Sequence, residues 1–282
     1  MRCAHPPTAR RPPTGGRRST RAPPRSYAAT VPDPGHFDAL ADVYDRARPP
    51  YPAALWDRLR TLGVLRPGAR VVELGAGSGL ATGPLVRAGA TVTAVEPGPA
   101  LARLLRARWP DVTVHEATAE RVALPHASFD LAVAATSVHW LDLDVVLPKL
   151  HRALVPGGAL AVWRHVFGDP QAPVTPFRQR VADVVARRGA VPARPGPGEL
   201  DTTAWSARLA AGGWFRVVDV AHLRWTVVLD AEQVRDLFLT FSDWRPDEAD
   251  AVAHAVRDLG GRVTEHYVTP LVVLARAATP VR

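Results

Sequence analysis

Val71-Val72-Glu73-Leu74-Gly75-Ala76-Gly77-Ser78-Gly79 decides the fold. A short apolar run, Arg70 to Leu74, enters three glycines at alternate positions. An apolar helical stretch, Leu80 to Ala88, follows and is closed by Gly89. The apolar run reads as a buried strand. Glycine is needed where a turn takes positive φ, or where a ligand must touch backbone. Such a turn at the carboxyl end of a first parallel strand is the usual crevice for a nucleotide-like ligand. A second strand, Thr91 to Val95, ends at Glu96, 21 residues after Gly75. A carboxylate there can accept hydrogen bonds from both hydroxyls of a ribose.

The alternation continues outward from this unit. Pro99 to Arg108 reads as a helix, Val112 to His115 as strand 3 and Asp130 to Ala134 as strand 4. Asp144 to Leu154 reads as a helix closed by Pro156-Gly157-Gly158, and Ala159 to Trp163 as strand 5. Strands that are apolar throughout, alternating with helices, predict a parallel sheet covered on both faces. Upstream, Phe37, Leu40, Ala41 and Tyr44 recur at helical spacing until Pro49, Pro50 and Pro52 stop the helix. A second helix then carries Leu55, Trp56, Leu59 and Leu62 and ends at Gly63.

Beyond residue 164 the pattern changes. Helices are expected over 177–188 and 203–211, flanking a Gly/Pro loop at 189–198. Phe215 to Val228 is extended, and Asp230 with Gln233 three residues later opens a helix to Thr240. Pro246 to Leu259 is helical. Arg262 to Ala275 is extended, with Pro270 predicting a bulged or edge strand. The two late strands read as an antiparallel addition to the sheet.

The details of the glycine turn separate two ligands. A dinucleotide fingerprint needs G-x-G-x-x-G, but here the third glycine falls one residue early and Leu80 takes the sixth position. Glu73, just before the loop, would repel a pyrophosphate. It would suit a cation such as the amino and sulfonium groups of S-adenosylmethionine. Residues 36 to about 163 resemble a class I S-adenosylmethionine-dependent methyltransferase of the small-molecule, methyltransferase domain 11 type. Glu73 to Gly79 is similar to the family's first motif and Glu96 to its ribose acid. Ala117-Thr118-Ala119-Glu120 with Leu124-Pro125 is similar to its adenine-contacting segment. Ser128-Phe129-Asp130 and Leu154-Val155-Pro156-Gly157-Gly158 resemble its openings to strands 4 and 5. Phe37, Ala41, Tyr44, Arg48-Pro49 and Tyr51-Pro52 match a recurring leading-helix motif, and His139-Trp140 resembles a subset of carboxyl methyltransferases.

The resemblance implies a Rossmann-like α/β fold with a mostly parallel seven-stranded sheet, helices on both faces and a C-terminal antiparallel addition. Three regions are expected: a disordered tail over 1–35, from its Arg/Pro-rich composition with almost nothing apolar to bury, a cofactor-binding core over 36–163, and a cap with the last strands over 164–282. The cofactor is S-adenosyl-L-methionine. Its expected contacts are Tyr44, Arg48, Glu73, Gly75, Ala76, Gly77, Gly79, Glu96, Pro97, Thr118, Ala119, Glu120 and Thr136. Many family members have Asp where Thr118 stands, leaving the backbone of Ala119 to serve the adenine.

Methyl transfer from a sulfonium is an in-line displacement, so the protein mainly has to place a nucleophile in a dry pocket. A base is needed only for a hydroxyl or ammonium nucleophile. His139, just past strand 4, is the candidate base, with a loop histidine against Trp140 as the alternative. Trp140 is the candidate acceptor contact, or a core cap. Arg48 suits a carboxylate of the cofactor or of an acidic substrate, or a helix end. Asp142 and Asp144 suggest a helix N-cap at Asp144 rather than a metal site. The aromatic residues Phe167, Phe177, Trp205, Trp214, Trp225, Phe238, Phe241 and Trp244 suggest an apolar cap.

Composition bounds the rest. The chain has 282 residues, 35 basic and 27 acidic side chains, and one cysteine, Cys3, which excludes an intramolecular disulfide and a multi-cysteine zinc site. Residues 1 to 32 hold seven arginines and no acid, so the other 250 residues are nearly neutral, with 28 basic against 27 acidic. Any nucleic-acid inference from the charge therefore attaches to the tail alone. No apolar run reaches membrane-spanning length. The expectation is a cytoplasmic enzyme acting on a small-molecule acceptor, without metal, nucleic acid or membrane. A tail-anchored nucleic-acid or protein methyltransferase, a cofactor-binding scaffold without turnover and a nucleotide-dependent oxidoreductase are the alternatives. The single lysine, Lys149, against 34 arginines reads as a genomic bias.

Overall fold

The computed structural model describes residues 35–188 and 196–278. The arginine-rich segment 1–34 and most of the loop expected over 189–198 lie outside the described residues. Five parallel strands, β1 (Arg70–Leu74), β2 (Thr91–Val95), β3 (Thr113–His115), β4 (Phe129–Ala135) and β5 (Leu154–Trp163), lie in the order β3-β2-β1-β4-β5. A two-residue β6 (Val166–Phe167), β7 (Phe215–Asp230) and β8 (Arg262–Arg276) complete an eight-stranded sheet. β8 runs antiparallel to β5 on one side and to β7 on the other. β6 keeps the register of β5 along β8, with Trp163 opposite Leu271 and Val166 opposite Val268. It therefore continues the line of β5, and seven lines of strand cross the sheet.

The helices are α1 (Gly35–Ala39), α2 (Ala41–Ala47), α3 (Ala53–Thr61), α4 (Thr82–Arg87), α5 (Pro99–Arg108), α6 (Leu143–Ala153), α7 (Pro176–Ala186), α8 (Thr202–Ala210), α9 (Ala231–Leu239) and α10 (Pro246–Asp258). Successive strand residues point to opposite faces, and both faces are buried. Val71, Val92 and Leu131 share one core with Leu55 and Leu59 of α3, Leu85 of α4 and Leu105 of α5. Val72, Val95 and Ala132 share the other with Val146, Leu147 and Leu150 of α6 and with Trp205 and Leu209 of α8. A third core joins α7, α9 and α10 to the outer ends of β7 and β8 through Phe177, Leu237, Phe238, Val252 and Tyr267.

Several sequence expectations change. Pro270 lies inside β8, a central strand, not an edge or a bulge. Its carbonyl accepts from the Arg164 N–H (3.2 Å), so its missing N–H would have faced the same side, at the break between β5 and β6. The proline costs the ladder only where the ladder is already interrupted. Asp142, not Asp144, is the N-cap of α6: its carboxylate accepts from the Asp144 N–H (3.1 Å). The leading helix is broken at Leu40 into α1 and α2. Trp205 and Trp214 pack under the sheet with α6 rather than in the cap, whereas Phe167, Phe177, Trp225, Phe238, Phe241 and Trp244 do gather in the third core.

The expected cap at Asp230 is present as a reciprocal pair. Asp230 accepts from the Gln233 N–H (2.9 Å), and the Gln233 side chain accepts from the Asp230 N–H (3.0 Å). Asp230→Ala should therefore lower stability by about 0.5–2 kcal/mol, read as a reduced urea midpoint with an unchanged slope. No change would show that α9 is held by its buried face alone.

Candidate active site

β1 delivers the site. It lies between β2 and β4, pairing Glu73 with Ala94 and Val133, so its carboxyl end opens beside those of both neighbours. The chain then turns through Gly75, Gly77 and Gly79, all in the left-handed region at φ +66°, +60° and +98°. A side chain at Gly75 would sit 2.7 Å from Ser137 Cβ, and one at Gly79 2.7 Å from Leu105 Cδ1, so those two glycines are demanded by close approach. Gly77 differs: a Cβ there meets only Tyr44 Cε1, at 3.8 Å. Protein packing does not fill the space over Gly77, which is the part of the turn where a ligand can touch backbone.

The turn is sewn to β2. The Gly75 and Ala76 N–H groups donate to the Val95 carbonyl (2.8 and 3.2 Å). The Glu96 carboxylate accepts from the Gly77 N–H (2.8 Å) through one oxygen and from the Gly98 N–H (2.9 Å) through the other. Glu96 is buried, and burial pushes its carboxyl up while the two amides oppose the shift. Each oxygen keeps a second lone pair for a ligand hydroxyl. Pro97, between Glu96 and Gly98, is exposed.

Glu73 is 1 % exposed and accepts from the Thr82 hydroxyl (2.6 Å). Burial drives its carboxyl up to about 8, against the pull of Thr82. It is a buried acid that holds its proton near neutrality, and a cation beside it would release that proton. On the β4 side, Ser137 donates to the Leu74 carbonyl (2.6 Å). Thr136 takes φ +57°, uncommon for a β-branched residue, and shares a hydrogen bond with the Tyr51 hydroxyl (2.9 Å). Strained backbone of this kind clusters at functional sites.

The leading helices lie over the turn. Asp38 of α1 accepts from the Ala100 and Leu101 N–H groups (2.7 and 3.1 Å), capping α5, which has no side-chain cap of its own. Asp45 pairs with Arg108 of α5, and Arg46 with Asp236 of α9 (2.8 Å). Arg48 Nη2 donates to the Thr240 carbonyl (3.1 Å), and its guanidinium lies over the rings of Tyr44 (5.1 Å) and Phe241 (4.8 Å). Arg48 thus serves a helix-end carbonyl, but that of α9 rather than of its own helix. Phe37 meets Tyr44 and Trp140 edge to face, each at 5.8 Å.

Thr118, Ala119 and Glu120 form a turn after β3. Burial pushes the Glu120 carboxyl up, but the Asp142 N–H (3.0 Å) and further hydrogen bonds outweigh it and hold it below the usual carboxylate range. Lys149 fixes the turn by donating to the carbonyls of Ala119 (2.9 Å), Glu120 (2.5 Å) and Val122 (3.0 Å). Three convergent carbonyls suit a compact ammonium rather than a planar guanidinium. This gives the sole lysine a structural purpose beyond compositional bias.

His139 lies on the short 3-10 turn Val138–Trp140 after β4. It is exposed, with its ring 5.0 Å from that of Trp140. Sequence reasoning missed Asp38, Lys149 and, most consequentially, His165. His165 lies two residues past β5, at the same carboxyl-end crevice, and its ring is 4.9 Å from that of Tyr51. That position after a parallel strand was the available signal. Among the described residues there is no cluster of metal-ligating side chains, and no helix is long and apolar enough to cross a membrane.

Comparison with known proteins agrees with the geometry. Residues 72–162 match the methyltransferase domain family model. An uncharacterized methyltransferase of Mycobacterium tuberculosis (strain ATCC 25618 / H37Rv) is 38% identical over 128 residues, 45% of this chain and 51% of that protein. Malonyl-[acyl-carrier protein] O-methyltransferase of Serratia marcescens is 30% identical over 129 residues, 43% of this chain and 51% of that protein. The chain spans about half the length of these curated relatives. A solved structure assigned as a type II methyltransferase of Anaeromyxobacter dehalogenans superposes with a TM-score of 0.58 at 28% identity, covering 83% of this chain and 99% of that one. The family model thus marks residues 72–162 as a methyltransferase domain, and the sheet order and the glycine turn give the chain the Rossmann-like fold of its methyltransferase neighbours.

Proposed function

We propose that the chain transfers a methyl group from S-adenosylmethionine to a small organic acceptor. The observation that carries this reading is the bare Gly77 between two buried acids, Glu73 and Glu96. The turn leaves room against backbone, Glu96 offers two acceptor oxygens for a ribose, and Glu73 offers a latent negative charge for an ammonium or sulfonium. When bound, the cofactor supplies a methyl group on a positively charged sulfur, a leaving group already activated. Tyr44 covers the turn from α2, Gly75, Ala76, Gly79 and Pro97 shape it, and Thr118 to Glu120 and Thr136 flank it. Residues 36–163 thus act as the cofactor core, and residues 164–282 as an acceptor cap that also completes the sheet. The O-methyltransferase relative and the nearly neutral folded body both support a small acceptor over nucleic acid. In this reading His139, as candidate base, and Trp140, as candidate acceptor contact, belong to the acceptor side.

The turn is tested by Gly77→Val. A side chain there occupies the ligand's space and, at φ +60°, strains the turn itself, so S-adenosylhomocysteine binding should vanish in calorimetry while the circular dichroism of the sheet and helices persists. Glu96→Gln keeps the volume and removes the charge, and should weaken binding by about 1–3 kcal/mol. Normal binding by both variants would sink the site assignment.

Glu73 makes a separate pH prediction. Its folded pKa, about 8, is raised above the ordinary 4.5. Its contribution to stability is therefore full below about pH 4.5 and is lost as pH rises through 8. Urea midpoints of the wild type should fall relative to Glu73→Gln between pH 5 and pH 9. Near pH 7, S-adenosylhomocysteine binding should release up to one proton, visible as a dependence of the heat on buffer ionisation. Parallel midpoints and no proton release would mean that Glu73 is ionised in the free protein.

A further inference from the structure

A second set of polar atoms, beside the glycine turn but outside it, is buried without partners. Among the described residues, both ring nitrogens of His165, the Tyr267 hydroxyl and Arg48 Nε make no hydrogen bond. These groups share one place. The His165 ring is 4.9 Å from Tyr51, 4.9 Å from Tyr267 and 5.0 Å from Trp225, and Tyr267 stacks on Trp225 at 4.7 Å. Tyr51 is bonded to Thr136 at the end of β4, so the cluster adjoins the cofactor side of the crevice. A buried polar group without a partner is costly, and several together in one aromatic cluster call for an explanation, of which a ligand is one.

The chemistry of the set restricts that ligand. Arg48 has no carboxylate partner among the described residues, whereas the other nearby arginine, Arg178, lies 3.9 Å from Glu265. Arg48 Nε–H is a donor only, and Tyr267 and neutral His165 each have a donor to give. Burial, and then the Arg48 charge, push the His165 imidazole down to about 3, so it is too weak a base to take a proton from a hydroxyl. The enclosure thus offers donors and a positive charge, and its imidazole is too weak a base for a hydroxyl; the one buried acid near Tyr267, Glu265, lies against Arg178, keeps one oxygen without a hydrogen bond and is pushed up to about 7 by burial.

We propose that Arg48, His165 and Tyr267 bind the acceptor as a carboxylate on a flat, apolar body, and that the product is its methyl ester. This rests on the reading of the chain as an S-adenosylmethionine-dependent enzyme. An ionised carboxylate needs no base. One oxygen lone pair forms the bond to the methyl carbon, and the carbon–sulfur bond breaks with its pair left on sulfur. The sulfonium becomes a neutral thioether, and no proton moves. The aromatic walls, Tyr51, Trp225 and Phe241, suit the body of such an acid. Arg48 is carried at the end of α2, whose ties to α5 and α9 include surface ion pairs of small individual worth.

The test uses the full chain with methyl-labelled S-adenosylmethionine. Benzoate, cinnamate and indole-3-acetate are offered beside their amides, the matching alcohols and the matching amines, and then an acid-soluble bacterial extract. Label that is released as volatile methanol by mild alkali supports the proposal. Alkali-stable label, or no alkali-labile label while S-adenosylhomocysteine still binds, overturns it and leaves the cofactor reading standing. Failure to bind S-adenosylhomocysteine sinks that underlying reading instead. With an acid that turns over, Arg48→Gln and Tyr267→Phe should each raise KM about 10–100-fold with the S-adenosylhomocysteine Kd unchanged. If Arg48→Gln weakens S-adenosylhomocysteine and leaves KM alone, Arg48 serves the cofactor and the acceptor assignment is wrong.

Discussion

The Glu96 carboxylate, holding the Gly77 amide with one oxygen and the Gly98 amide with the other, fixes the relation between the ends of β1 and β2. Everything at the site is arranged around that constraint. The parallel register that pairs Leu74 with Val95 brings the Val95 carbonyl under Gly75 and Ala76. Three consecutive amides of the turn are thereby committed before any ligand arrives. The turn is preorganised, and the backbone entropy of holding three residues at positive φ is spent in folding rather than in binding. In the proposed reading the same acid receives the ribose, so folding and recognition would draw on the same two oxygens.

The cover over that turn is built differently. β1, β2, β4 and β5 are held by ladders and by two apolar cores, which confer most of the stability of such a domain. α1 and α2 are short and present little apolar surface. They are tied instead by Asp38 to α5 amides, by Asp45 to Arg108, and by Arg46 and Arg48 to α9. Polar ties of this kind contribute little each when exposed. A floor held by ladders and apolar cores thus lies under a cover held mainly by polar ties.

The floor was legible in the sequence because each of its features is local. Glycines at alternate positions, an acid at the end of each of two strands, and apolar runs of five residues all depend on near neighbours. The cap was less legible because its signals are non-local. Pro270 argues for an edge strand if read alone. Only the break between β5 and β6, about a hundred residues earlier, makes it tolerable in a central one. Asp38 caps a helix 62 residues away, and Lys149 closes a turn 27 to 30 residues upstream. Neither partnership leaves a mark on spacing. The N-cap assignment failed by two residues because Asp142 and Asp144 are chemically equivalent candidates, and only the direction of the Asp144 N–H separates them.

The break in the ladder and the partnerless polar cluster are the same feature. Where β5 ends at Trp163, Arg164 pairs with the one residue of β8 that cannot return a hydrogen bond. The chain leaves regular pairing for His165 and resumes it at Val166. An uninterrupted strand would leave every backbone group of this stretch satisfied. The interrupted strand places an imidazole among Tyr51, Trp225 and Tyr267, where nothing among the described residues hydrogen-bonds it. Departures from local regularity that weaken a fold without an evident structural return collect at functional sites. The interrupted position here faces the carboxyl-end crevice that the glycine turn also opens into. The sheet thus interrupts its pairing beside that crevice.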